Sequence, residues 1–309
     1  MNNKLKIKIG VIGVGHLGNF HLEQLSRLKN VSCIGFYDVS KDKANQATQK
    51  FNLKSYKTIS SICKDADAII ISTPTSSHYD VALQGLEHNC HLFIEKPITE
   101  TVEQAKDLLE KSHNKIIQVG HIENFNPAFC SLKDQKLEPQ FIESHRLSTY
   151  NSRGTDVTVV SDLMIHDIGI LITIINSKIK HINAKGVNII SNSCDVANAR
   201  IEFENGCVAN LTVSRVSPER MRKIRVFSAG ESTSYVSLDY QKQEGYIYRI
   251  AAEDAEKSSL WQKLSHAKDS AVVSEFAGKK VVREPVPIEK DEPLKLELQH
   301  FIQCVCEKQ

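Results

Sequence analysis

Residues able to do chemistry stand at four places along this chain. Gly13-Val14-Gly15-His16-Leu17-Gly18 is a full G-x-G-x-x-G. It leaves a predicted strand and opens a predicted helix, the context in which such a loop cradles a dinucleotide. Gly13 permits the tight turn, Gly15 lets the backbone approach a pyrophosphate, and Gly18 lets helix and strand pack closely. The helix start, with His16 and Leu17 in its first turn, offers unpaired amides and partial positive charge to phosphates. Asp38 ends the second predicted strand about 20 residues further on, where a carboxylate holds the adenosine ribose and repels a 2′-phosphate. The expected cofactor is therefore NAD, with NADP kept as the alternative because Lys41 and Lys43 follow closely. Asp38 has a second reading, as the cap of the next helix.

Two more segments fall at the same carboxyl edge of the predicted sheet. Thr73, Pro74, Ser76 and His78 follow one strand, and Glu95-Lys96-Pro97 ends the next. Dinucleotides lie along that edge, so these residues, Glu95 and Lys96 included, are candidate cofactor contacts. His78 also suits the start of its own helix. The fourth place is Asp162-Leu163-Met164-Ile165-His166-Asp167, inside a predicted apolar helix.

The elements that must position these groups divide the chain in two. Over 6–120, short β-rich runs alternate with amphipathic stretches, which predicts βαβ units and a doubly wound parallel sheet of six strands, one of them a brief run at 55–56. Beyond it come a strand at 142–148, a helix over 160–175, and strands at 182–190, 196–203, 208–214, 222–228 and 234–239, with an Asn-Gly hairpin signal at Asn205-Gly206. That run predicts an α+β domain on a large, mainly antiparallel open sheet. Residues 251–293 are polar and weakly patterned and are expected to form a long loop, before a closing helix over 294–305. The expected domains are 1–121, binding the dinucleotide, and 122–309, binding substrate and forming the oligomer.

Composition excludes several classes of function. The 309 residues are 41% hydrophobic and 25% charged with a net charge of +2, so bulk electrostatics favour neither nucleic acid nor a membrane surface. The N-terminus lacks the apolar stretch of a signal peptide, and a cytoplasmic protein is expected. The eight cysteines are scattered without a C-x-x-C pair, and no cluster has metal-ligand spacing, so no metal is expected.

Taken together, the glycine loop, E-K-P and D-x-x-x-H closely resemble the Gfo/Idh/MocA family of oxidoreductases, along nearly the whole chain. The resemblance implies a Rossmann domain joined to an α/β domain with a large open sheet, pairing as a homodimer or homotetramer through that sheet. It also implies that Lys96, Asp162 and His166 are the catalytic positions. Chemistry agrees with that carry-over. Asp162 and His166, four apart on a helix, share a face, and a carboxylate beside an imidazole raises its basicity. An imidazole suits the removal of a hydroxyl proton, and an amine stabilises alkoxide character on the same oxygen.

The segment 120–129 joins the domains and is expected to border the substrate, through His121, Asn124 and Asn126. With the stretch 156–167 it is similar to the branch of that family that oxidises the 3-hydroxyl of UDP-N-acetylglucosamine. On that reading Arg153, together with Arg146, Arg215, Arg220 and Arg222, is a candidate to bind a diphosphate. Two other readings stay open: a reductase of another small carbonyl compound, and a non-catalytic NAD(H)-binding sensor or scaffold. Family members usually continue past the closing helix with another that returns to the Rossmann domain, and the expectation here is either a trimmed second domain or a shortened copy with weakened domain contacts.

Overall fold

The computed structural model describes residues 6–133, 137–150, 157–229, 233–250, 271–276 and 279–308. They form two compact units: one runs to Ile122 and resumes at Glu292, and the other spans Glu123–Asp291.

In the first unit β1 (Ile7–Ile12), β2 (Val31–Tyr37), β3 (Ala68–Ile71), β4 (His91–Glu95) and β5 (Ile117–Gly120) form a parallel sheet ordered β2-β1-β3-β4-β5. All four residues of β3 are apolar and buried, as a strand covered on both faces requires. The connecting helices are α1 (His16–Arg27), α2 (Lys41–Phe51), α3 (Ile59–Asp65), α4 (His78–Glu87) and α5 (Val102–Lys111). The side chain of Ser40 caps α2, and Thr58 and Thr101 build capping boxes with Ser61 and Gln104 at α3 and α5, satisfying amides that a helix start leaves open. The strand order reverses between β1 and β3, and the crevice at such a switch point is where α/β sheets take ligands.

The sheet has five strands among the described residues, not six. Ser55 makes a single bridge to Phe36, because the chain between the left-handed Asn52 and the cap at Thr58 runs beside β2 too briefly to form a ladder.

The closing helix, α8 (Pro293–Lys308), belongs to the first unit and not to the second as the sequence suggested. Leu298, Phe301, Ile302 and Val305 are buried in the same core as Ile9, Val11, Leu22 and Phe93, and the rings of Phe93 and Phe301 meet edge-on at 5.7 Å.

The second unit holds a nine-stranded sheet, β13-β14-β12-β11-β10-β6-β9-β8-β7. Its strands are β6 (Pro139–Leu147), β7 (Ile179–Val187), β8 (Val196–Phe203), β9 (Val208–Ser214), β10 (Met221–Ser228), β11 (Ser234–Asp239), β12 (Glu244–Ile250), β13 (Ala271–Phe276) and β14 (Lys279–Pro285). Neighbours are antiparallel except the parallel pair β6–β9. Alternating residues of β8–β11 face one core, which α6 (Pro127–Lys133) and α7 (Ile165–Ile174) cover with Phe129, Leu132, Ile170 and Leu171. The expected helix over 160–175 begins as one π-helical turn, Val160–Met164, before α7. The expected loop over 251–293 contains β13 and β14, a hairpin that ends the sheet with β13 as its outer strand. No helix of the described residues is long and apolar enough to cross a membrane.

Truncating Phe301 to alanine removes a ring that is fully buried in the first unit's core. It should lower stability by roughly 3–5 kcal/mol, read as a drop in Tm; an unchanged Tm would show that α8 contributes little to that core.

Candidate active site

The glycine loop starts where β1 ends. Gly13 has a φ of +88°, and a Cβ there would sit 2.9 Å from the Ser72 carbonyl oxygen. Its amide donates to Tyr37 O at 2.8 Å, which ties the turn to β2. A Cβ on Gly18 would lie 2.0 Å from the Gly13 carbonyl oxygen, whereas one on Gly15 would meet nothing within 4 Å. The first contact is what brings α1 against the turn, and the second is open space beside the helix start. Unlike α2, α3 and α5, α1 begins without a side-chain cap, and its first turn holds no acid. Bare amides next to an open glycine fit a pyrophosphate. His16 and Leu17 are exposed, and the His16 ring rests edge-on against Phe20 at 4.8 Å.

Asp38 closes this loop. Its Oδ2 accepts from the Val14 amide at 2.7 Å and its Oδ1 from the Ser40 amide at 2.8 Å. The cap of α2 is Ser40, whose hydroxyl accepts from Lys43 N, so of the two readings of Asp38 the helix cap is excluded. Each carboxylate oxygen retains a lone pair for ribose hydroxyls.

The loops after β3 and β4 are joined by His78. It is the first residue of α4 and buried, with Nε2 2.9 Å from Thr73 O and Nδ1 2.9 Å from Pro97 O. Thr73 Oγ1 accepts from Ser77 Oγ at 2.8 Å, while Pro74 and Ser76 are exposed. His78 therefore holds two loops together and is not itself a surface for ligand. The peptide before Pro97 is cis. Glu95, buried at the end of β4, places Oε1 2.7 Å from Nε2 of His21 on α1. Gly120 leaves room for that carboxylate, since a Cβ there would stand 2.9 Å from Glu95 Oε2. Lys96 follows, half-buried. Burial, and then the Lys96 charge, hold the His121 imidazole below its ordinary value, against the opposing charge of Glu95.

In the second unit Asp162 lies in the π turn and His166 at the start of α7, both half-buried. Single π turns recur at functional sites. The neighbouring Asp167 is buried and is bound by Arg146 of β6, with Nε to Oδ2 at 2.9 Å, and by Ser144 Oγ to Oδ1 at 2.9 Å. Arg146 also reaches Glu123 Oε1 at 2.7 Å. Burial alone would lower the Arg146 pKa, but Asp167 and Glu123 outweigh it and raise it above the usual arginine value. Glu123 is likewise held ionised: burial opposes the charge and Arg146 overcomes it. A buried guanidinium between two carboxylates thus sets α7 against β6 and the turn at 122–125.

Several expectations for substrate contacts change. Arg146 and Arg215 are 2% and 5% exposed; the first is bound as described and the second donates to Val157 O at 2.8 Å. Neither is a diphosphate ligand. Arg220 and Arg222 are exposed, Arg222 lying 3.6 Å from Glu123. Asn126 is buried, with its amide donating to Glu123 and to Tyr240 O and its carbonyl accepting from Ala128 N, so it caps α6 from the interior. Asn124 is half-buried. Arg153 lies outside the described residues. Sequence reasoning missed His21, Glu123 and Glu297; for Glu297 a signal existed, an acid on the apolar stripe of α8.

Residues 7–121 match the oxidoreductase family with an NAD-binding Rossmann fold, and 119–233 match the GFO/IDH/MocA C-terminal domain. A UDP-N-acetylglucosamine 3-dehydrogenase of Acidithiobacillus ferrooxidans is 31% identical over 251 residues, 80% of this chain and 79% of that protein. The chain belongs to the Gfo/Idh/MocA oxidoreductase family. The NAD-dependent scyllo-inositol 2-dehydrogenase of Bacillus subtilis, another similar protein, is 27% identical over 69% of this chain and 68% of its own. Among solved structures, the A. ferrooxidans enzyme superposes with a TM-score of 0.86 at 28% identity, covering 99% of this chain and 90% of that one. GenD2 from gentamicin A biosynthesis, solved with NAD, shares the fold with a TM-score of 0.73 at 16% identity, covering 98% of this chain and 86% of that one. The family's first domain is an NAD-binding one, which agrees with the bare helix start and open glycine described above.

Two alanine substitutions separate the glycines. Gly15→Ala should leave Tm unchanged and weaken NADH binding at least ~10-fold by occupying the pyrophosphate space. Gly18→Ala, which drives a Cβ into the Gly13 carbonyl, should lower Tm. Isothermal titration and thermal melts read both, and equal effects on both measurements would contradict the assignment.

Proposed function

We propose that this protein is an NAD-dependent dehydrogenase of nucleotide sugars that oxidises the 3-hydroxyl of UDP-N-acetylglucosamine. The observation that carries this reading is the 31% identity to an enzyme of that name across 80% of the chain, spanning both units. Asp162 and His166 supply the base: the imidazole takes the hydroxyl proton, and the carboxylate orients it and favours its charged form. Lys96 hydrogen-bonds the same oxygen and stabilises the negative charge that grows there as the C–H bond breaks. The bare start of α1, Gly15 and Asp38 would hold NAD, which when bound supplies the hydride acceptor.

The same reading includes a homo-oligomer. Phe141, Phe227, Tyr235 and Tyr248 are direct cross-strand partners on β6, β10, β11 and β12. Their rings lie 5.7, 4.7 and 5.1 Å apart in succession. This row is on the sheet face opposite the core, and Phe227 is 37% exposed. A continuous aromatic row suits an interface more than a solvated surface.

With NAD present, UDP-N-acetylglucosamine should give NADH fluorescence while free hexoses and inositol do not, and Lys96→Ala should reduce turnover at least ~100-fold with NADH binding retained. The opposite substrate pattern would remove the nucleotide-sugar reading, and undiminished turnover would remove the role of Lys96. For the interface, light scattering should find a dimer or larger species that Tyr235→Asp converts to monomer; a monomeric wild type would overturn it.

A further inference from the structure

One buried cation of the second unit has no part in the chemistry above. Arg215 follows β9 directly and is 5% exposed. One arm of its fork donates from Nη2 to Val157 O at 2.8 Å, and Nε lies 3.9 Å from Oδ1 of Asp195. Its own amide donates to Asp195 O at 2.9 Å. Asp195 is fully buried and is itself fixed. Its Oδ2 accepts from the amides of Ile189, Ile190 and Ser191 at 2.8, 2.6 and 2.9 Å, and its Oδ1 from the Ser191 hydroxyl at 2.6 Å. Next to it, Cys194 O accepts from the Val159 amide at 3.1 Å. Val157 and Val159 are therefore gripped from one corner, by a guanidinium and by a carbonyl. Thr158 between them starts the helical bonds: its O accepts from the Asp162 amide at 3.0 Å, and its hydroxyl from the Ser161 amide at 3.3 Å.

These bonds fall just upstream of Asp162, and the Arg146–Asp167 pair falls just downstream of His166. The residues between, 162–166, carry both members of the base. Across this stretch the Ile165 amide reaches back five residues to Val160 O. A π turn holds about one residue more than an α turn, and it can relax into one if the chain ahead of it slips. Each residue of slip turns a side chain by about 100° around the helix axis, which would change the way Asp162 faces relative to His166. With α7 fixed at Asp167, only the upstream end can supply that slip. A guanidinium is a costly way to fill a buried corner. Its fork, however, joins a carboxylate to a main-chain carbonyl, which neither a lysine nor an apolar side chain can do.

We propose that Arg215 is a positioning residue for the base: joined to Val157 and Asp195, it holds the entry to the π turn and so sets Asp162 against His166. The inference rests on the assignment of Asp162 and His166 as the base, and does not depend on which sugar is the substrate. Arg146 at one end and Arg215 at the other form a two-ended clamp on the residues that take the proton.

Arg215→Lys in the full chain tests this. The ammonium keeps a charge beside Asp195 but cannot bridge to Val157 O as well, so Tm should stay close to that of the wild type. Turnover of UDP-N-acetylglucosamine should fall roughly 10- to 100-fold, the scale of a displaced catalytic group, while NADH Kd and the KM for NAD are retained. Asp195→Asn, which removes the charge beside the fork, should lower turnover in the same direction and also spare NADH binding, so the test does not hang on one variant. In an Asp162→Asn background, R215K should change turnover by less than about twofold, because the carboxylate it positions is gone. The His166 imidazole, followed by NMR in the NADH complex, gives a readout that needs no substrate. D162N should shift its titration midpoint, and R215K should shift it the same way by a smaller amount. If R215K turns over like the wild type, or costs as much in D162N as in the wild type, Arg215 serves the fold alone and the proposal fails. If D162N leaves the His166 midpoint unmoved, the assignment of the base fails and takes the role of Arg215 with it. Absence of turnover in the wild type would count against the substrate reading, and the NMR shifts then decide about Arg215.

Discussion

Much of the first unit depends on one close approach, that of α1 to the turn after β1. A Cβ at Gly18 would overlap the Gly13 carbonyl oxygen, so the helix can reach this position only with glycine there. Once it does, its bare N-terminus faces the end of the sheet, Asp38 can span to the Val14 amide, and His21 comes within reach of Glu95. The nucleotide cradle and the strand that bears Lys96 are thus set by the same packing contact. A helix displaced outward by one methyl group would disturb both.

The second unit uses a different device. Its sheet is held by alternating apolar residues, but the helix carrying Asp162 and His166 is fixed by charge. Arg146 binds Asp167 and Glu123 with all three side chains buried. Burying three charges is expensive unless each is paired, and losing one partner leaves another uncompensated. Packing against apolar neighbours alone would let α7 slide along its own face. Directional bonds to a carboxylate beside His166 do not allow that, and this suits a helix that must present a base.

Legibility followed the kind of constraint. The glycine loop could be read because steric limits leave no other residue at Gly13 and Gly18, and strands such as 196–203 could be read because one face is buried and alternation follows. The π turn at Val160–Met164 left no mark, since it shifts backbone bonds without demanding a residue type. The hairpin of β13 and β14 was hidden because its lysines and arginine resemble a solvated loop. Arg146 was misplaced for a related reason: an arginine that binds phosphate and one that binds buried carboxylates look alike until burial is known. Glu297 is readable as an acid on the apolar stripe 294, 298, 301 and 305, and its meaning depends on α8 packing in the first unit's core, which the sequence does not state.

The placement of α8 has a consequence for how the chain is made. The five strands of the first sheet are translated early, yet the helix that covers Phe93 and Val11 is translated only after the whole of the second unit. Domains acquire structure as they leave the ribosome, and here the earlier one emerges with part of its apolar core still uncovered. The second unit can finish folding first. The nascent first unit therefore keeps that apolar surface open until α8 is made and seals it.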